Sequence, residues 1–162
     1  MQFQDMGLDP RLLRSVQHLG FARPTEIQQE AIPAVMVGRD LLVSSKTGSG
    51  KTLAYLLPMM QRLLKSRPLS KRDARALILA PTRELAKQVY AQLRLFVANT
   101  PLTSVLIVGG ENFNDQEKLL KREPNIIVAT PGRFVDHLEH KSVFINGLEM
   151  LILDEADRML DL

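Results

Sequence analysis

The chain has 162 residues, 45% of them hydrophobic, with 21 Lys and Arg against 18 Asp and Glu and a net charge of +3. This is the balance of an ordinary globular domain, and its mild basic excess permits a polyanionic partner without requiring one. With no Cys, a disulfide framework and a thiolate metal site are excluded; no apolar run approaches the ~20 residues of a membrane span, and Met1 to Gly7 carry no signal-like apolar stretch, so a cytoplasmic location is expected.

In chain order, Thr25 and Gln28 come first, with the spacing of a capping box: Thr25 as N-cap, Gln28 reaching back to its N–H. The rival role for the Gln28 amide is to pair with the N6/N7 edge of adenine, and the spacing alone favours the cap. The apolar run Leu41-Leu42-Val43 predicts a strand over 41–44, and Leu53, Leu56, Leu57, Met60, Leu63 and Leu64 predict a helix after it. Between them stands Ser45-Lys46-Thr47-Gly48-Ser49-Gly50-Lys51-Thr52. Strand, glycine-rich turn and helix are the context of a phosphate-binding loop. Gly48 and Gly50 let the backbone N–H groups curl toward an anion, and the helix N-terminus adds partial positive charge. Lys51 reaches the β- and γ-phosphates, and the Thr52 hydroxyl ligates Mg²⁺. Ser45 departs from the Gly of the general motif.

Lys65, Arg67, Lys71, Arg72 and Arg75 follow around Pro68 and Ser70 and read as a solvated loop. Further apolar runs predict strands over 76–80, 104–108, 125–129 and 150–153, alternating with helical patterns such as Leu85, Val89, Leu93, Phe96 and Val97. That alternation predicts right-handed βαβ units in a mostly parallel sheet, covered by helices on both faces. The polar residues cluster directly after the strands: Pro81-Thr82-Arg83-Glu84, Gly109-Gly110, Thr130-Pro131-Gly132-Arg133 and Asp154-Glu155-Ala156-Asp157. Ligand sites of open α/β sheets lie beyond the strands' carboxyl ends, so one sheet edge gathers every candidate. Thr82 also makes a good N-cap for a helix from Arg83. Arg133 offers a bidentate phosphate donor or, more plainly, a surface ion pair. His137 and His140 are read as exposed rather than as metal ligands. Met36, Met59, Met60, Met150 and Met159 fit core or helix faces.

Asp154-Glu155-Ala156-Asp157 spells the signature of the DEAD-box family of ATP-dependent RNA helicases, and the remaining elements occur in that family's order. Gly20-Phe21-Ala22-Arg23-Pro24-Thr25-Glu26-Ile27-Gln28 resembles its adenine-reading glutamine motif, with Phe3 as the upstream aromatic. Residues 45–52 resemble motif I, where Ser or Ala is usual first. Pro81-Thr82-Arg83-Glu84-Leu85-Ala86 is similar to motif Ia, Gly109-Gly110 to the glycine doublet and Thr130-Pro131-Gly132-Arg133 to motif Ib. The resemblance implies an α/β, RecA-like P-loop fold, with 1–38 as the glutamine-motif region and 39–162 as part of the first helicase domain. It implies ATP and Mg as cofactors: Phe21, Arg23, Thr25, Gln28 and residues 45–52 bind nucleotide, Thr52 and Asp154 hold Mg²⁺, and Lys51, Asp154 and Glu155 are catalytic, Glu155 as base. It implies RNA as partner, held through its backbone by Pro81, Thr82, Arg83, Gly109, Gly110, Thr130, Pro131, Gly132 and Arg133. An RNA clamp that switches with ATP but does not unwind, and a DNA-acting ATPase, are the alternatives. It further implies a second RecA-like domain beyond residue 162 and, between the strands at 41–44 and 150–153, a later strand. Without that strand the two are expected to face each other across a gap of ~10 Å, or to rearrange, leaving the piece aggregation-prone.

Overall fold

A computed structural model describes residues 2–19, 23–24, 28, 41–43, 51–66 and 74–155. Five strands run through it: β1 Leu41–Val43, β2 Ala76–Leu79, β3 Ser104–Ile107, β4 Ile126–Ala129 and β5 Met150–Asp154. Their order is β1-β5-β2-β4-β3, and every ladder is parallel. Wherever the flanking residues are described, the strand bounds lie within one residue of those predicted.

Helices α1 Pro10–His18, α2 Lys51–Lys65 and α3 Arg83–Val97 pack on one face, with Leu12, Leu56, Leu93 and Phe96 against Ile78, Val128 and Ile152. Helices α4 Phe113–Leu120 and α5 Pro131–Glu139 cover the other, with Leu120 and Phe134 against Leu77, Val105 and Ile127. Alternate residues of β2 and β4 thus feed opposite cores, the period of two that a strand imposes. Each fully buried Leu or Phe stabilises this sandwich by about 2 kcal/mol. Pro58 sits inside α2, where it cannot donate the usual helical hydrogen bond; the buried leucines and methionines around it hold the helix to the sheet.

Two expectations are decided here. First, β1 and β5 do not face each other across a gap: they form a direct ladder, Leu41 opposite Ile152 and Val43 opposite Asp154. The rearranged order is the one found. A gap would leave backbone N–H and C=O groups of both apolar strands unpaired, and the ladder satisfies them. Second, Arg75 is not part of a solvated loop. It is 3% exposed, and its guanidinium donates to the Leu63 carbonyl at 3.1 Å, to the Ser66 carbonyl at 3.2 Å and to the Ser66 hydroxyl at 2.8 Å, while Nε reaches Glu149 at 2.5 Å. Arg67, Lys71 and Arg72 lie outside the described residues.

Candidate nucleotide and nucleic-acid site

The strand order sorts the candidate residues. Of those read as nucleotide-binding, Phe21, Arg23, Thr25 and Gln28 precede β1, residues 45–52 follow it, and Asp154 and Glu155 stand at the end of β5; those read as RNA-binding follow β2, β4 and β3. The two groups meet where Leu79 of β2 pairs with Leu153 of β5, just before Pro81 and Asp154.

On the first side, Asp154 ends β5 fully buried. Its Oδ2 accepts a 2.8 Å hydrogen bond from the Tyr55 hydroxyl. Tyr55 lies one helical turn after Thr52 on α2, and the Thr52 hydroxyl engages the same phenol. Burial, then the Asp154 carboxylate, push the Tyr55 phenol well above its ordinary value, so it remains a neutral donor. Thr52 and Asp154 therefore converge on one phenolic oxygen. A hydroxyl and a carboxylate are hard oxygen donors, a set that suits Mg²⁺. Glu155 follows in left-handed backbone with φ 49°, a conformation that non-glycine residues hold at a cost and that clusters at functional sites. Gln28 is buried with helical backbone, whereas Arg23 is exposed. Phe21, Thr25, Ser45, Lys46, Thr47, Gly48, Ser49 and Gly50 lie outside the described residues, as do Ala156, Asp157, Met36, Met159 and the side chain of Lys51.

On the second side the loops are stitched together by their own side chains. Thr82 caps α3 as expected, its hydroxyl accepting from the Leu85 N–H at 3.1 Å. Arg83 Nη1 crosses to donate to the Gly109 carbonyl at 3.1 Å. Gly110 has φ 83°, and a Cβ there would lie 2.0 Å from that Nη1. Backbone conformation and close approach both demand Gly at 110, while a Cβ at Gly109 or Gly132 would meet nothing. The Gly109 N–H donates to the Thr130 hydroxyl at 3.3 Å, and Pro131 opens α5 at the first helical position, which needs no N–H. Arg133 Nη1 donates to the Glu111 carbonyl at 2.9 Å and to Gln116 Oε1 at 3.0 Å, with Asp136 3.8 Å from Nε. The plainer ion-pair reading of Arg133 is thus present, at long range and on an exposed acid.

His137 corrects a further expectation: it is fully buried, whereas His140 is exposed. Among the described residues no group of three or more His, Asp and Glu could hold a metal ion, and no helix is long and apolar enough to cross a membrane. Met59, Met60 and Met150 are core residues, as expected. Sequence reasoning missed Tyr55, Gln116 and His137 as parts of the site. Their signal is a polar residue at an apolar helical position: Tyr55 among buried leucines, Gln116 one turn before buried Leu120, His137 one turn after Arg133.

A wholly parallel sheet with helices on both faces, its candidate groups gathered along the carboxyl edge, is the RecA-like α/β class. The chain belongs to the DEAD/DEAH box helicase family, which residues 25–162 match. It is similar to the ATP-dependent RNA helicase drs1 of Neosartorya fischeri, 45% identical over 160 residues, 98% of this chain and 19% of that protein. It is likewise similar to the probable ATP-dependent RNA helicase ddx27 of Dictyostelium discoideum, 48% identical over 161 residues, 99% of this chain and 20% of that protein. The chain spans about a fifth of the length of these curated relatives.

Proposed function

We propose that the complete protein is an ATP-dependent RNA helicase that binds ATP with Mg²⁺ on the β1/β5 side, holds RNA backbone on the β2/β4/β3 side, and locally separates short duplexes. The observation that carries this reading is the ladder between β5 and β2, which sets the candidate hydrolytic acids beside the first candidate RNA loop. In this reading residues 45–50 bind the phosphates, Lys51 supplies them a positive charge, Gln28 reads adenine, and Phe21, Arg23 and Thr25 also bind the nucleotide. Thr52 and Asp154 would hold Mg²⁺, which when bound would neutralise phosphate charge and help orient the γ-phosphoryl group. Tyr55 donates a hydrogen bond to Asp154 Oδ2, which fixes the direction of that carboxylate. Glu155 takes the proton of the attacking water. Thr82, Gly109, Gly110, Thr130 and Arg133 meet phosphate and sugar, which gives affinity with little sequence reading.

The test uses Glu155→Gln and Lys51→Ala in the complete protein. Glu155→Gln should retain ATP affinity and lose turnover; Lys51→Ala should lose nucleotide affinity itself. Near-normal hydrolysis by Glu155→Gln would refute the assigned role. The parent protein should separate a short RNA duplex only with ATP, and matched DNA should stimulate hydrolysis poorly because it lacks 2′-hydroxyls. RNA held with ATP but never separated would identify a clamp, and equal stimulation by DNA would favour the DNA-acting ATPase.

A further inference from the structure

Gln116 lies in α4 with 3% of its surface exposed, yet it touches the ends of two candidate RNA loops. Its Nε2 donates to the Val108 carbonyl at 2.8 Å, directly before Gly109. That bond fixes the amide's direction and turns Oε1, which only accepts, toward α5. There Oε1 takes Arg133 Nη1 at 3.0 Å and His137 Nε2 at 2.8 Å. His137 accordingly carries its proton on Nε2, and its Nδ1 is buried with no hydrogen-bond partner. The imidazole lies flat on Phe113, centroids 4.1 Å apart and planes 5° apart, and the Arg133 guanidinium carbon sits 5.6 Å from the same ring. A neutral His137 is needed here, since a second cation would stand beside Arg133; burial holds the imidazole below its ordinary value.

We propose that Gln116 and His137 are positioning residues for RNA binding: together they set the Arg133 guanidinium beside the Gly109-Gly110 loop before any phosphate arrives. The inference rests on reading Arg133 as a phosphate contact. A free arginine surrenders rotamer freedom when it grips a phosphate, whereas one already held by Gln116, Glu111 and the Phe113 ring has surrendered it in folding. The buried amide also ties Arg133 to Val108, so the loops following β3 and β4 present their groups as one rigid surface.

The experiment measures single-stranded RNA affinity across a salt series, and ATP affinity without RNA, for Arg133→Ala, Gln116→Leu, His137→Phe and their combinations in the complete protein. Arg133→Ala should weaken RNA binding about tenfold, the effect of one charge-assisted hydrogen bond. It should also flatten the dependence of log K on log salt by about 0.7, the value of one phosphate contact on a single strand. Gln116→Leu should lower RNA affinity in the same direction, leave ATP affinity unchanged, and add nothing on the Arg133→Ala background. His137→Phe keeps the ring on Phe113 and removes only its N–H to Gln116. It should show the same pattern more weakly, and it decides the matter if Gln116→Leu does not fold. Losses that multiply with Arg133→Ala, or no loss from either variant, overturn the positioning role. Unchanged RNA affinity and salt slope in Arg133→Ala alone would overturn the phosphate reading of Arg133, and the proposal with it.

Discussion

A histidine whose imidazole is fully buried against Phe113 must fold in its neutral form, and this gives His137 a signature in stability. Burial first, then Arg133 and His140, lower its pKa, while Glu117 and Asp136 oppose them. Unfolded, the group takes up a proton as pH falls through 6.5; folded, it resists until lower pH. Below that value the unfolded state therefore binds more protons, so stability is full above it and declines as pH falls. His137→Phe should remove this acid-side decline. Comparing denaturant midpoints at about pH 7.5 and about pH 5.5 checks it, since these bracket the ordinary imidazole range. An equal decline in the variant would place the titration elsewhere. The candidate Mg²⁺ side has the same kind of residue-scale economy: Tyr55 touches both Thr52 and Asp154, so one phenol aligns both oxygen donors.

At the scale of elements, Arg75 joins the end of α2 to the segment leading into β5, holding Leu63, Ser66 and Glu149 at once. Arg75→Met should destabilise the domain by about 3 kcal/mol, because Glu149 loses the partner of a largely buried ion pair. Denaturant unfolding measures the loss, and RNA and ATP affinities of the folded variant should be unchanged, since this staple lies before β2 and β5, opposite the candidate site. Strands β2 through β5, the cap at Thr82 and the placing of candidate groups after the strands were legible because apolar periodicity and cap chemistry are local. Arg75 was misread because a basic residue among Lys65, Arg67 and Lys71 looks solvated until a fold brings Glu149, more than seventy positions away, beside it. Gln116 and His137 escaped for the same reason: the Gln116 partners Val108 and Arg133, and the His137 partner Gln116, are supplied by packing, not by spacing. For β1 and β5 the sequence left a gap and a rearranged order both open, because pairing between distant strands is decided by which backbone groups would otherwise go unmet.

Taken whole, the sheet is asymmetric in its edges. Among the described residues β1 has a strand on one side only, and it is short and apolar, Leu41–Val43. An open apolar edge is a template for pairing with another chain. The polypeptide 1–162 on its own should therefore self-associate as its concentration rises, seen by light scattering, and this should be suppressed by Leu42→Pro, which removes a backbone donor from the edge strand. A species that stays monomeric at every concentration would overturn the expectation. The interior of the sheet carries the opposite property: β5 lies between β1 and β2, so both of its backbone edges are paired.

Glu155 holds one more lesson, in terms of what selection for robustness would do to this chain. Its backbone sits at φ 49°, a place where Gly or Asn rests more comfortably than Glu. Breeding the domain for heat tolerance alone would favour those residues at 155, and each would discard the carboxylate proposed as base. Among the described residues of the carboxyl edge, backbone strain and the proposed base thus fall on one residue, so variants that relax it are expected to gain stability and lose the proposed chemistry.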